Sequence, residues 1–155
     1  MELDLFDRRP LDAVQADSRR TGEELAALVG LSAAACLRRL QRLRASGAIR
    51  AEVAILDPKL AGSQLSLVVM VTLERERPDL IDGFARAMRQ AAEVTQCYYV
   101  TGAVDFVLMV NVTDMAAYEE FTRRHLFGGN VRRFETMAVM GRMKFTTAIP
   151  VAEGG

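Results

Sequence analysis

Residues 24–50 constrain the fold of this chain most, because two short helical patterns meet there at a glycine and the second is rich in arginine. In the first pattern Leu25, Leu28 and Val29 recur at intervals of three and four residues, which gives a helix one apolar face. Ser32 follows and has a side-chain oxygen that can cap the next helix. Two helices joined by a short turn with glycine are typical of a helix-turn-helix.

The second helical pattern predicts a DNA-binding surface. Leu37, Leu40 and Leu43 recur every three residues and are predicted to face the core, while the arginines project around the rest of the helix. In a helix-turn-helix the second helix enters the major groove, and its N-terminal residues lie nearest the base edges. The predicted DNA-binding residues are therefore Ser32, Ala33, Ala34, Ala35, Arg38, Arg39, Arg42 and Arg44.

The positive charge is concentrated in this second helix. Five arginines and no acid lie between Arg38 and Arg50, whereas the whole chain has a formal net charge of zero. A local basic cluster is expected where a protein neutralises phosphates, although an arginine-rich amphipathic helix can also be only a solvated face. The three alanines at 33–35 can contact thymine methyl groups but offer no hydrogen bonds, so DNA bending would add to specificity.

Length and composition exclude several protein classes. The longest apolar stretches, Leu65–Leu73 and Phe106–Val112, have strand length and fall well short of the roughly twenty residues of a membrane helix. The acidic N-terminus predicts no signal peptide, and we therefore expect a cytoplasmic protein. Cys36 and Cys97 are isolated in the sequence, so we predict neither a disulfide framework nor a metal site, and no cofactor.

A change of pattern after residue 50 predicts a domain boundary. Residues 52–56 indicate a strand and a turn-rich connection follows, after which the order is strand, helix, strand, strand, helix, strand. That order predicts an α+β chain with a ferredoxin-like βαββαβ domain, whose helices cover one face of the sheet. The predicted domains are a helix-turn-helix domain at 1–50, a linker at 51–62, a ferredoxin-like domain at 63–150 and a tail at 151–155.

The face of the predicted sheet that carries no helix has apolar side chains that need to be buried against another surface. Its apolar candidates are Val68, Met70, Met109, Val110, Met137, Val139 and Met143. We therefore predict a homodimer in which two sheets pack together. Such a dimer would place two arginine-rich helices on one side of the molecule, which suits a pseudopalindromic DNA site.

Short fragments in order along about 145 residues of this chain together resemble a known family. They are Leu3-Asp4 with Asp7 and Leu11, Arg19, Glu24-Leu25-Ala26, Val29-Gly30-Leu31-Ser32, Arg39, Leu43, Gly47, Ile49, Leu56-Asp57-Pro58, Gly62, Val100-Thr101-Gly102, Asp105, Lys144 and Thr146-Thr147. The series is similar to the leucine-responsive regulatory protein/AsnC family of prokaryotic transcription regulators. The resemblance implies a winged helix-turn-helix, an effector-sensing domain, and double-stranded DNA and often an amino acid as partners. It also implies homodimers that assemble into octamers.

The resemblance further implies an effector pocket between protomers at the turn that ends at Asp105. Backbone N–H groups of this turn can receive a carboxylate, and an acid can receive an ammonium group. Relatives commonly carry an additional acid after the glycine, where this chain has Ala103. A tight hairpin that needs glycine and a capping aspartate is the alternative explanation. The predicted effector-binding residues are Tyr99, Thr101, Gly102, Ala103, Asp105 and Thr136.

Pro10 departs from the family pattern in the first helix. A proline inside a helix removes a hydrogen bond and costs about 3 kcal/mol. The first helix therefore either contains this proline or begins at it, with Leu11 and Val14 packing inward.

Two other functions compete with that of a DNA-binding regulator. Haem-precursor decarboxylases resemble the same two-domain family, but His125 is the only histidine and we find no metal-ligand spacing, phosphate loop or nucleophile elbow. We therefore predict no enzyme and no catalytic residues. The alanine run at 33–35 leaves open a partner-binding module whose helix-turn-helix no longer binds DNA.

Overall fold

A computed structural model describes residues 3–57, 60, 62 and 65–151, and of Leu5 it describes the backbone only. The chain divides into two compact units. One consists of Met1–Ala54 together with Lys144–Gly155, and the other consists of Ile55–Met143. None of the described helices combines the length and apolar character that a membrane crossing requires.

Three capped helices form the N-terminal unit. They are α1 (Leu5–Ala16), α2 (Gly22–Val29) and α3 (Ala33–Ala45). Asp4, Thr21 and Ser32 each accept a hydrogen bond from a backbone N–H three residues on, which satisfies a donor that a helix start leaves free. Gly30 takes a left-handed conformation with φ 73° and ends α2, as the predicted turn between the two helices requires.

The core of this unit confirms the helix-turn-helix pattern but not every predicted core position. Its buried apolar side chains are Leu11, Leu25, Val29, Cys36, Leu40 and Leu43. The predictions for Leu28 and Leu37 are wrong, because these side chains are 55% and 45% exposed. The buried residues of α3 are spaced by four and then three positions, which matches the helical period of 3.6 residues. Residues that repeat strictly every three positions do not all stay on one face of a helix, and Leu37 therefore lies outside the core.

Helix α1 begins well before Pro10, so the alternative start at this proline is wrong. A reciprocal capping box explains the earlier start. The Asp4 side chain accepts the Asp7 N–H at 2.7 Å, and the Asp7 side chain accepts the Asp4 N–H at 3.3 Å. Pro10 is buried within the helix, where it lacks the N–H that would otherwise bond to the carbonyl of Phe6.

The second unit has the predicted ferredoxin-like order of strands and helices. Its elements are β1 (Leu65–Leu73), α4 (Pro78–Gln90), β2 (Val94–Tyr99), β3 (Phe106–Val112), α5 (Met115–His125) and β4 (Val131–Ala138). The strands lie in the order β2-β3-β1-β4, and every neighbouring pair is antiparallel.

Both helices of this unit pack on the same face of the sheet. Alternate residues of β1 and β3 are buried, and they form one core with Met88 of α4 and Phe121 of α5. On the opposite face Val68 lies beside both Met109 and Met137 in the strand register. The apolar residues that the strands place on this open face are Val68, Met70, Val107, Met109 and Met137.

Two of the apolar residues predicted for the open face, Val110 and Met143, lie elsewhere. Val110 is fully buried on the helix-covered face, because successive side chains of a strand point to opposite sides. Val139 follows the end of β4, and its N–H donates to the carbonyl of Ser66 at 2.9 Å, which continues the register that places Met137 beside Val68. Met143 lies in the irregular chain beyond the sheet and is 94% exposed.

In their described residues, the segments that connect the two units have no regular secondary structure. Residues 46–57 contain no strand, so the strand predicted at 52–56 is wrong, and irregular chain follows α3 where the resemblance implied a wing. A strand needs a neighbouring strand to complete its hydrogen bonds, and none pairs with this stretch among the described residues. Of the predicted turn, residues 58, 59 and 61 lie outside the described part of the chain. Lys144 to Thr147 follow the last strand of the sheet without regular structure.

The C-terminal segment belongs to the N-terminal unit, whereas the predicted domain limits placed residues up to 150 in the sheet domain. Two hydrogen bonds join the Gln15 side chain to the backbone of Ile149. Val151 packs against the buried core of the three helices. These contacts explain why the chain from Lys144 onward groups with the helices rather than with the sheet.

Candidate nucleic-acid interface and effector site

Helix α3 and its N-cap residue Ser32 together carry all of the predicted DNA-binding residues. Ser32, Ala34, Arg38, Arg42 and Arg44 are exposed, whereas Ala33, Ala35 and Arg39 are partly buried. The Ser32 hydroxyl accepts the Ala35 N–H at 3.2 Å, so the cap fixes the first turn of the helix. An exposed, capped N-terminus followed by arginines is a surface that can approach nucleic acid closely.

Arg39 is held by carboxylates at the start of helix α1. Its Nη1 donates to Asp4 Oδ2 at 2.9 Å and to Asp7 Oδ1 at 2.8 Å. Its guanidinium also lies over the Phe6 ring, 5.6 Å from the ring centre, a cation–π contact. The hydrogen bond from Arg39 lowers the pKa of the Asp4 carboxyl and raises the pKa of Arg39. Arg39 therefore joins α3 to α1.

Asp7 is buried and binds two arginines of α3. Its carboxylate is 1% exposed and accepts hydrogen bonds from both Arg39 and Arg42. A carboxylate removed from water needs such charged donors, because the loss of its hydration is costly. Arg42 remains 53% exposed although one of its nitrogens bonds to Asp7.

Arg38 is the one predicted DNA-binding arginine without a carboxylate partner among the described residues. Arg44 pairs with Glu52 at 2.7 Å, and the other two arginines pair with Asp4 and Asp7. Four arginines against three carboxylates leave one uncompensated positive charge. The charge counted over residues 38–50 overstated the local field, because the neutralising acids lie outside that stretch.

The pairing of the α3 arginines with Asp4, Asp7 and Glu52 was not predicted from the sequence. Asp4 and Asp7 are three residues apart at a helix start, a spacing that places two acids on one face. That spacing was a usable indication of a charged contact. Which helix this face meets depends on tertiary packing, and a single sequence does not give it.

The predicted effector turn connects β2 to β3 and has a structural function. Gly102 has φ 123°, a conformation that favours glycine. Asp105 Oδ2 accepts the Leu73 N–H at 2.6 Å, and the Asp105 N–H donates to the Val71 carbonyl at 2.9 Å. The Asp105 carbonyl accepts the Val100 N–H at 2.9 Å. Asp105 therefore closes the hairpin and ties it to β1.

The predicted effector residues lie at two opposite edges of the sheet. Tyr99 contacts the Phe106 ring at a centroid distance of 5.2 Å and is 59% exposed, close in sequence to the exposed Thr101, Gly102 and Ala103. Thr136 lies on β4, and its hydroxyl bonds to the Tyr118 hydroxyl at 2.5 Å. Burial raises the pKa of Tyr118. Because β2 and β4 are the two outer strands, one chain brings together the first group but not Thr136.

Two surface depressions of the second unit lie away from the predicted effector residues. One of about 310 Å³ is lined by Phe127, Arg133 and their neighbours, and one of about 350 Å³ is lined by Glu93, Arg124, His125 and residues of α4. A hydrogen bond from its own backbone lowers the pKa of the Glu93 carboxyl, and the pairing with Arg124 lowers it further. Burial lowers the pKa of His125. Within the described ranges no three potential metal-ligating side chains cluster.

Comparison with known families matches both units. The model of the AsnC-type helix-turn-helix domain matches residues 3–44. The model of the Lrp/AsnC ligand binding domain matches residues 66–149. The first match covers the three capped helices up to Arg44, and the second covers the sheet, its two helices and the chain beyond them.

Relatives that match nearly the whole chain are also transcriptional regulators of this kind. The chain is 51% identical to the HTH-type transcriptional regulator y4tD of Sinorhizobium fredii over 97% of its length and 90% of the relative's. It is 36% identical to the leucine-responsive regulatory protein of Escherichia coli, covering 92% of this chain and 88% of that protein.

Solved structures resemble the chain along nearly its whole length. An AsnC family transcriptional regulator from Agrobacterium tumefaciens superposes with a TM-score of 0.88 at 32% identity, covering 96% of this chain and 97% of the other. A transcriptional regulator of Neisseria meningitidis in complex with L-Met superposes with a TM-score of 0.87 at 33% identity and the same coverage.

Proposed function

The chain belongs to the Lrp/AsnC family of transcriptional regulators, and from that premise we propose how its surfaces bind DNA, an effector and further copies of itself. The observation that supports DNA binding best is the exposed face of α3. Ser32 to Ala35 have small side chains that let the helix approach the base edges, and Arg38 offers an uncompensated charge. Arg42 and Arg44 keep part of their surface exposed, so their remaining N–H groups are available to phosphates.

The salt dependence of DNA binding tests this proposal. A duplex from the chain's own upstream region is compared with an unrelated duplex of equal length over a series of salt concentrations. We expect tighter binding to the upstream duplex that persists near physiological salt. Replacing Arg38 by Ala should weaken binding to both duplexes and reduce the slope of log K against log salt by about 0.9, the value for one lost phosphate contact.

Arg86→Ala is the matched control, because Arg86 is an exposed arginine of helix α4 in the other unit. It should leave the affinity and the slope unchanged. Equal binding of both duplexes would mean that this region is no target of the protein. Absence of binding at low salt would favour the partner-binding module.

We further propose that the effector is an amino acid bound between protomers at the turn 101–105. The ligand-binding domain and the Neisseria meningitidis complex with L-Met support this class of ligand. Backbone N–H groups beside Gly102 suit a carboxylate, and Tyr99 offers an exposed ring next to them. Asp105 Oδ2 already accepts the Leu73 N–H, so its other oxygen is the one that can receive an ammonium group. Thr136 would join this site only from a second chain.

Thermal unfolding in the presence of each proteinogenic amino acid, with L-methionine first, tests the effector proposal. A ligand that binds only the folded chain raises Tm by mass action. Thr101→Ala should reduce the rise, whereas Thr113→Ala, an exposed threonine beyond β3, should not. The proposal fails if no amino acid changes Tm, assembly size or DNA affinity.

We also propose that the open sheet face forms a homodimer, which assembles further into an octamer. Val68, Met70, Val107, Met109 and Met137 present an apolar surface there, and two such faces can cover one another. Sedimentation velocity should show a smaller species for Met109→Asp than for the wild type. Met115→Asp, at an exposed position at the start of α5, should leave the assembly unchanged. Because the partner is chromosomal DNA, the place of action that we propose is the cytoplasm.

A further inference from the structure

We propose that Asp7 is a specificity-determining positioning residue of the DNA interface, which keeps Arg39 away from the phosphates and holds the guanidinium of Arg42 in one orientation on the exposed surface of α3. The inference rests on the proposed DNA-binding function. The charge pattern of α3 alone does not indicate this role for an acidic residue of helix α1. Its basis is the geometry of one buried carboxylate between two arginines.

Arg39 has its charge satisfied within the protein. Its Nη1 contacts both Asp4 and Asp7, and its guanidinium lies over Phe6. Only 26% of its side chain is exposed. A phosphate would have to displace two carboxylates to bind this group, so Arg39 does not add to the phosphate-binding charge.

Asp7 binds only part of the Arg42 guanidinium. One nitrogen bonds to Asp7, while about half of the side chain is exposed, so its other N–H groups remain available to a ligand. Arg38 lies four residues earlier, on the same face of the helix. Asp7 thus holds the guanidinium of Arg42 on the helix face that also carries Arg38.

This arrangement favours sequence-dependent binding over sequence-independent binding. Phosphate contacts supply affinity for any DNA, whereas contacts to base edges distinguish sequences. A charge that stays paired with Asp7 contributes less to binding of unrelated DNA. A guanidinium already held in one orientation loses less conformational freedom when it binds.

Asp7→Asn tests the inference, because it keeps the shape of the side chain and removes its charge. We expect it to tighten binding to an unrelated duplex and to steepen the salt slope by about 0.9 for each released arginine. The ratio of affinities for the upstream and unrelated duplexes should fall. Asp82→Asn is the matched control, since it changes the net charge equally at an exposed position of helix α4.

Arg39→Gln provides the converse test. If Arg39 does not touch phosphates, this variant keeps the wild-type salt slope, whereas Arg38→Ala loses about 0.9. The inference is overturned if Arg39→Gln loses as much slope as Arg38→Ala, or if Asp7→Asn and Asp82→Asn bind the unrelated duplex equally. The failure of the proposed function is a different result, namely that the wild type binds no duplex.

A measurement on the wild type covers the case in which Asp7→Asn does not fold. The Nε–Hε signals of the arginine side chains are followed by NMR while the unrelated duplex is added. We expect the Arg38 signal to shift and the Arg39 signal to stay in place. A shift of Arg39 as large as that of Arg38 would overturn the inference.

Discussion

The side-chain amide of Gln15 bonds to both backbone polar groups of Ile149. Its Nε2 donates to the Ile149 carbonyl at 3.0 Å, and its Oε1 accepts the Ile149 N–H at 2.8 Å. Gln15 belongs to the last turn of α1, and Val151 packs against the same three-helix core two residues after Ile149. The C-terminal segment is therefore part of the DNA-binding unit.

Gln15→Ala should release this segment. Two exposed hydrogen bonds are lost, so we expect the free energy of unfolding of the N-terminal unit to fall by about 1 kcal/mol. Hydrogen exchange of the Ile149 amide should become faster. Gln41→Ala, at an exposed helical glutamine of α3, should change stability by less than about 0.5 kcal/mol. Unchanged exchange at Ile149 would contradict this role of Gln15.

Gly22 allows helices α2 and α3 to approach closely. A Cβ atom at this position would lie 3.0 Å from Leu37 Cδ1 and 3.3 Å from the Ala33 Cβ. We expect Gly22→Ala to lower the free energy of unfolding by about 1 kcal/mol, because this contact must widen. Gly83→Ala, in open space on helix α4, should instead raise it by about 0.5–1 kcal/mol. Urea unfolding of both variants measures whether each substitution raises or lowers the free energy of unfolding. Equal effects of the two substitutions would show that close contact at Gly22 does not limit stability.

Asp105 should contribute to stability without any effector. Asp105→Ala leaves the Leu73 N–H without its acceptor, and we expect a loss of about 1–3 kcal/mol in chemical unfolding. Asp105→Asn keeps an acceptor oxygen and should lose less. Thr101→Ala, at an exposed position of the same connection, serves as the control. If Asp105→Ala is as stable as the wild type, the hairpin does not depend on this carboxylate.

Protonation of His125 should destabilise the folded chain. Burial lowers the pKa of His125 below its ordinary value of 6.5, so the unfolded chain binds the proton more readily than the folded chain. The contribution of His125 is complete above pH 6.5 and is lost as the pH falls through its lowered pKa. Urea unfolding at pH 7.5 and 5.5 should show a larger decrease for the wild type than for His125→Asn. The same decrease in both would assign the effect to other groups.

Local sequence patterns predicted most elements of the fold. The helix-turn-helix followed from the capping Ser32, the glycine turn and the leucine spacing, and the βαββαβ order followed from runs of apolar residues between turns. Each of these features depends on neighbours within a few residues. The same patterns predicted the wrong environment for Leu28, Leu37 and Val110. The spacing of apolar residues gives their periodicity, but it does not show which side of an element faces its neighbour.

Pairings between distant residues required the tertiary structure. The acids that neutralise α3 come from the start of α1 and from residue 52, so the charge of the arginine stretch by itself gave no measure of its surface potential. Asp105 looked like a ligand group in the sequence, and its bond to Leu73 became visible only once β1 lay beside the hairpin.

The sequence by itself determined the helix caps, the order of strands and helices, and the family. Local hydrogen bonding encodes the caps, periodic burial encodes the order of the elements, and the ordered series of motifs identifies the family. Only the tertiary structure decided which charges remain available on α3 and where the C-terminal segment binds. The reason is physical: electrostatic pairing and packing act between side chains that are near in space, whatever their separation along the chain.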